Sequence, residues 1–62
     1  MNAPSLRVLV VDDEPQIIRA LAPALRAEGY TVETASSGKA ALQQMAVDPC
    51  DLMILDLGLP DM

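Results

Sequence analysis

The sequence predicts an α/β fold in which a three-stranded parallel sheet carries a helix on each face. Two short apolar runs, residues 6–11, which only Arg7 interrupts, and residues 52–55, are each followed by a carboxylate. Short apolar runs of this kind are typical of strands buried on both faces of a parallel sheet. Between them lie two helical patterns separated by one alternating stretch. The element order is therefore strand-helix-strand-helix-strand, which favours parallel pairing through right-handed crossovers.

The first strand covers residues 6–11, and the first helix is predicted to begin at Pro15. Proline is favoured at the first helical position, and the acids beside it suit the positive end of the helix dipole. Gly29 supplies a stop, so the helix is predicted to end at about residue 28. Pro23 costs about 3 kcal/mol inside a helix. We expect a kink there and not a break, because the apolar stripe continues in phase on both sides, at Ile18, Leu21, Ala22 and Leu25.

The second half of the chain contains an edge strand, a helix and a buried strand. Residues 30–34 alternate between apolar and polar, which predicts a strand with one wet face. Ser36 or Ser37 can cap the second helix, which ends at Asp48 and Pro49. The predicted apolar stripe of this helix comprises Gly38, Ala41, Leu42 and Met45. Since strands 1 and 3 are apolar and strand 2 alternates, we predict the strand order 2-1-3 with the helices on opposite faces.

Composition limits the classes of function. Nine acidic residues against four basic ones give a net charge of -5, which argues against nucleic-acid binding by this segment. The single cysteine, Cys50, has no partner at metal-ligand spacing and indicates a structural thiol in a reducing compartment. The apolar runs are too short for a signal peptide or a membrane span. We therefore expect a cytoplasmic protein that does not bind membranes.

Three carboxylates are predicted to meet at one edge of the sheet. Asp12 and Asp13 follow strand 1, and Asp56 follows strand 3. In the order 2-1-3 the chain reverses direction between these strands, and α/β sheets bind ligands at such switch points, beyond the carboxyl ends of their strands. Carboxylates held close together repel one another or recruit a cation. The pattern predicts a cation site, and the alternative for Asp12 and Asp13 is a pair of acids at a helix start.

Two motifs carry a resemblance to a known family. The sequence VVDDE at residues 10–14 and the sequence LDLGLP at residues 55–60 resemble the receiver domain of two-component response regulators. The second motif is most similar to regulators of the potassium-transport operon, within the group that has winged-helix output domains. The resemblance implies a flavodoxin-like (CheY-like) fold truncated to β-α-β-α-β. Residues 1–62 are then expected to be the amino-terminal half of a receiver domain, without its effector domain.

The resemblance also implies roles for individual residues. Asp56 would be the phosphoacceptor, which takes a phosphoryl group from a sensor histidine kinase so that an effector domain can control transcription. Asp13 and Asp56 would bind Mg²⁺ or Mn²⁺ directly, Asp12 would do so through water, and Gly58 would contribute its carbonyl oxygen. Gly58 and Pro60 are equally consistent with plain turn residues. The implied protein is a signalling domain and not an enzyme.

The sequence departs from the family pattern in its second half. The switch Ser or Thr and the phosphate-binding Lys of the family, at the ends of the fourth and fifth strands, have no counterparts in these 62 residues. Lys39 lies near the start of the second helix and indicates a surface residue. We therefore expect weak phosphorylation of this piece alone. The third strand is expected to expose an apolar edge, which favours a homo-oligomer.

Three other classes of function remain as alternatives. A phosphatase of the haloacid dehalogenase type also uses an aspartate on a parallel strand, but its pattern has Asp-x-Asp after the first strand. A truncated fragment could serve only as an interaction or structural element. Dinucleotide binding is disfavoured, because no glycine-rich fingerprint follows the first strand.

Overall fold

The structure is a computed structural model that describes residues 6–55. It contains three strands and two helices in the predicted order: β1 (Arg7–Val11), α1 (Pro15–Ala27), β2 (Thr31–Ala35), α2 (Gly38–Val47) and β3 (Leu52–Leu55). The second strand begins one residue later than the alternation predicts. Tyr30 closes the end of α1, where its N–H donates to the Leu25 carbonyl oxygen at 3.2 Å.

The three strands form one parallel sheet with the predicted order β2-β1-β3. The central strand β1 pairs on one side with β2 and on the other with β3. At its carboxyl end, Val11 is opposite both Ala35 and Leu55. The carboxyl ends of β1, β2 and β3 therefore lie at one edge of the sheet.

The helices cover opposite faces of the sheet, as predicted. Val8 and Val10 of β1 pack in one buried cluster with Ala22 of α1. Leu9 and Val11 point to the other face and pack with Ala41 of α2. All four of these β1 side chains are only 1% exposed. The core is thus two thin apolar layers that share β1, which accords with the limited burial available to a chain of this size.

Helix α1 is continuous through Pro23. Pro15 occupies the first turn, after Glu14 in an extended conformation. Gly29, with φ of 100°, follows the helix, and its N–H donates to the Arg26 carbonyl oxygen at 3.0 Å. Only glycine adopts such a left-handed conformation without strain. Pro23 is exposed, so it lies away from the packed face and the stripe on that face is preserved.

Helix α2 begins at a serine cap but is rotated from the predicted orientation. The Ser37 hydroxyl oxygen accepts a hydrogen bond from the Ala40 N–H at 3.0 Å. The prediction that Leu42 belongs to the buried stripe is wrong, since this side chain is 68% exposed. Ala40 packs against the core beside Ala41 and Met45, so the buried face is turned towards Ala40 and away from Leu42.

Of the two edge strands, β3 is covered less by the helices than β2. Leu52 is 52% exposed and Leu55 is 37% exposed, and both helices lie over β1 and β2. Within residues 6–55, no strand pairs with its outer edge. Neither described helix has the length and apolar character needed to cross a bilayer.

Candidate functional site

Asp12 and Asp13 lie at the carboxyl end of β1, where the sequence predicts them. Asp12 is half-buried, and both its backbone and its side chain form hydrogen bonds. Its N–H donates to the Ala35 carbonyl oxygen of β2 at 3.1 Å. Its carboxylate oxygen Oδ1 accepts from the Glu14 N–H at 2.9 Å. Asp13 is exposed. The pair therefore combines one fixed carboxylate with one that faces solvent.

The hydrogen bond from the Glu14 N–H to the Asp12 carboxylate tests the alternative interpretation, in which Asp12 is an acid at a helix start. The Asp12 carboxylate does stabilise the turn that leads into α1. A carboxylate has about four acceptor positions, so one hydrogen bond leaves most of its capacity for a further ligand. The local role and a metal-binding role are thus compatible for this residue.

Asp56 and Gly58, the other two predicted site residues, lie outside the described residues, as does Pro60. The register nevertheless indicates where β3 is directed. Leu55, the residue before Asp56, is opposite Val11, the residue before Asp12. The two strands therefore end side by side and in the same direction.

The described residues contain only part of the predicted cation site. Among residues 6–55, no three His, Cys, Asp or Glu side chains are grouped closely enough to hold a metal ion. Asp12 and Asp13 provide two carboxylates at this edge. Carboxylate oxygens are hard ligands that suit Mg²⁺ or Mn²⁺, whereas soft sulfur ligands do not.

Lys39 and Cys50 have the positions expected of structural or surface residues. Lys39 is exposed at the second residue of α2. Cys50 is half-buried, packs against the cluster beneath α2 and donates its S–H to the Met45 sulfur at 3.2 Å. This environment supports the interpretation of Cys50 as a structural thiol.

One group of polar contacts was not predicted from the sequence. Arg7 forms an ion pair with Asp48, and its backbone N–H donates to the Asp51 carboxylate at 2.7 Å. These residues lie at the amino end of the sheet, opposite the edge that carries Asp12. Two features of the sequence could have indicated these contacts: Arg7 alone interrupts the apolar run of β1, and Asp51 directly precedes β3.

Comparison with known proteins identifies the family. The model of the response regulator receiver domain matches residues 8–62. The chain belongs to the response regulator receiver family. The receiver motifs predicted from residues 10–14 and 55–60 both fall within the matched range, so the predicted family is confirmed. The observed strand order and helix placement agree with the first three strands and two helices of a CheY-like fold.

Curated relatives of this receiver chain are transcriptional regulators by name. It is 62% identical over 55 residues to the transcriptional regulatory protein KdpE of Mycobacterium tuberculosis, covering 89% of this chain and 24% of the relative. It is 44% identical over 54 residues to the alkaline phosphatase synthesis transcriptional regulatory protein PhoP of Bacillus subtilis, covering 87% of this chain and 22% of the relative. The chain thus spans about a quarter of the length of these relatives. No solved structure matches it.

The family assigns this receiver chain to signalling. Receiver domains generally bind Mg²⁺ and typically interact with histidine kinases. The subgroup predicted from the second motif agrees with the 62% identity to KdpE.

Proposed function

We propose that this chain is the phosphoacceptor part of a cytoplasmic two-component response regulator. Asp56 accepts a phosphoryl group from a sensor histidine kinase, and the phosphorylated receiver controls transcription through an effector domain. The register that places Val11 beside Leu55 carries this proposal, because Asp12 and Asp56 directly follow these residues in sequence. The family match over residues 8–62 supports the same assignment.

The donor set fits a hard divalent cation. Asp13 and Asp56 would hold Mg²⁺ or Mn²⁺ directly with carboxylate oxygens, Asp12 would do so through water, and Gly58 would add its backbone carbonyl oxygen. The bound ion would neutralise the negative charge that otherwise keeps a carboxylate away from a phosphoryl group. The hydrogen bond from Glu14 keeps the Asp12 carboxylate in one orientation, and the exposed Asp13 carboxylate is accessible from solvent.

The reaction itself needs one nucleophile and one leaving group. A carboxylate oxygen of Asp56 forms a bond to phosphorus while the bond from phosphorus to the donor nitrogen or oxygen breaks. The leaving imidazole of a phosphohistidine departs as a neutral group after it takes up a proton. The product is an acyl phosphate on Asp56.

The metal proposal predicts a loss of affinity in the Asp13→Asn variant. Removing one charged oxygen ligand should weaken Mn²⁺ binding by at least about tenfold. Electron paramagnetic resonance of free Mn²⁺ during titration of the chain measures this affinity. In an intact receiver that contains these residues, labelling from acetyl phosphate should require Mg²⁺ and should fall in the same variant.

Glu28→Gln is the matched control for Asp13→Asn. It removes the same charge from an exposed residue at the other end of α1. This control should bind Mn²⁺ as the unmodified chain does. Equal affinities for Asp13→Asn and the unmodified chain would show that Asp13 is not a ligand.

We also propose that the chain self-associates through β3. The edge strand β2 carries an exposed charge at Glu33, which protects it from further pairing. The four residues of β3 carry no charge, and Leu52 and Leu55 are exposed. A second copy supplies a strand of the same apolar character, and antiparallel pairing about a two-fold axis through Met53 would place Leu52 opposite Ile54.

Sedimentation velocity over a dilution series tests this association. We expect a dimer that dissociates on dilution, with a parallel loss of circular dichroism, because a chain this short has a marginal core of its own. Leu52→Lys places a charge on the edge and should shift the equilibrium towards monomer. A folded monomer at all concentrations would exclude the proposed dimer.

A further inference from the structure

The hydrophobic pattern of β3 does not determine its register against β1. In most strands, a shift of one residue moves the apolar side chains from the core to solvent, which strongly disfavours the shift. All four residues of β3 are apolar, so a shift by one still leaves apolar side chains on both faces. The strand also lies at the edge of the described sheet. Another interaction is needed to select one register.

Asp51 provides that interaction. It directly precedes β3 and lies opposite Arg7, the first residue of β1. Its carboxylate oxygen Oδ2 accepts a hydrogen bond from the Arg7 N–H at 2.7 Å. Its own N–H donates to the Arg7 carbonyl oxygen at 2.8 Å. A shift of β3 by one residue would break both bonds, and the first is strengthened by the charge of the carboxylate.

We propose that Asp51 is a positioning residue that fixes the register of β3 and thereby the position of the residue that follows Leu55. This inference rests on the proposed function, in which that residue, Asp56, is the phosphoacceptor. A shift by one residue moves every side chain of β3 about 3.3 Å along the sheet and to the opposite face. Such a displacement would separate Asp56 from the carboxylates that follow β1.

Asp48 makes a contrasting contact with the same arginine. Its carboxylate pairs with the Arg7 guanidinium, and the two side chains are 53% and 36% exposed. Exposed ion pairs typically contribute only about 0 to 1 kcal/mol. Asp48 contacts β1 through the Arg7 side chain, whereas Asp51 contacts the Arg7 backbone. Asp48 is therefore a matched control that perturbs the same arginine without removing the backbone contacts.

The test compares three variants of the chain: Asp51→Ala, Asp51→Asn and Asp48→Ala. Cross-strand nuclear Overhauser effects read the register directly, because Val10 is opposite Ile54 in the structure. Mn²⁺ affinity is measured in parallel. We expect Asp51→Ala to lose the Val10 to Ile54 signals and to bind Mn²⁺ roughly tenfold more weakly, a typical effect of removing a residue that orients a ligand. Asp51→Asn keeps an oxygen that can accept from Arg7 and should restore both readouts. Asp48→Ala should behave as the unmodified chain.

The cross-strand signals test the role of Asp51, and the Mn²⁺ affinity of the unmodified chain tests the proposed function. Unchanged cross-strand signals in Asp51→Ala would overturn the role of Asp51, whether or not the Mn²⁺ affinity changes. If the unmodified chain binds no Mn²⁺, the proposed metal site fails, while the register measurement still decides the role of Asp51. If Asp51→Ala is largely unfolded, an osmolyte such as trimethylamine N-oxide restores the folded fraction before the register is read. Loss of register in Asp51→Asn would also contradict the inference, since its acceptor oxygen is retained.

Discussion

The Asp56→Asn variant of an intact receiver that contains these residues is expected to lose phosphorylation, with labelling from acetyl phosphate reduced by more than about 1,000-fold. The carboxamide lacks the negative charge that makes a carboxylate oxygen nucleophilic, and it is a weaker ligand for a hard cation. Both roles proposed for Asp56 are removed by one substitution. Mass spectrometry of the intact protein and of its peptides measures the loss and locates the phosphoryl group.

Asp48→Asn is the control for this substitution. It changes the same chemical group on an exposed side chain at the amino end of the sheet. Its labelling should match that of the unmodified receiver. Substantial labelling of Asp56→Asn would mean that another residue accepts the phosphoryl group, and peptide mapping would then show whether Asp13 is that residue.

The arrangement of the sheet could be predicted because two kinds of local pattern agree. The apolar runs of β1 and β3 indicate strands buried on both faces, and the alternating stretch after Gly29 indicates an edge strand. With right-handed crossovers these assignments leave the order 2-1-3, which the structure has. The start of β2 was predicted one residue early because the Tyr30 N–H is used by the end of α1, a contact that alternation does not reveal.

The features that sequence reasoning missed depend on tertiary contacts. Leu42 fits the helical period, but small residues on the neighbouring face allow α2 to pack through Ala40 and Ala41. The contact of Arg7 with Asp51 joins residues 44 positions apart in the sequence. No local pattern relates such residues. The positions of Asp12 and Asp13 were predictable because they directly follow a strand whose direction was known, whereas the predicted roles of Asp56 and Gly58 stay predictions.

The Leu9→Ala variant is expected to unfold most of the chain at room temperature. Leu9 is the largest of the fully buried side chains, with 1% exposure on the central strand. Truncation of a buried leucine to alanine typically costs about 2 to 5 kcal/mol, from lost burial and the cavity left behind. A chain of this size rarely has more than about 3 to 5 kcal/mol of stability in total. Far-ultraviolet circular dichroism with urea titration measures the change in the free energy of unfolding.

Leu42→Ala is the control, because it makes the same chemical change on a side chain that is 68% exposed. It distinguishes the effect of losing a buried side chain from the effect of replacing leucine by alanine. Surface substitutions usually change stability by less than about 0.5 kcal/mol. Alanine also has a slightly better helix propensity than leucine, so no loss is expected from the backbone of α2. The urea midpoint of Leu42→Ala should therefore remain close to that of the unmodified chain. Similar destabilisation by both substitutions would mean that α2 is packed through Leu42 in solution, and that the orientation of this helix differs from the one described.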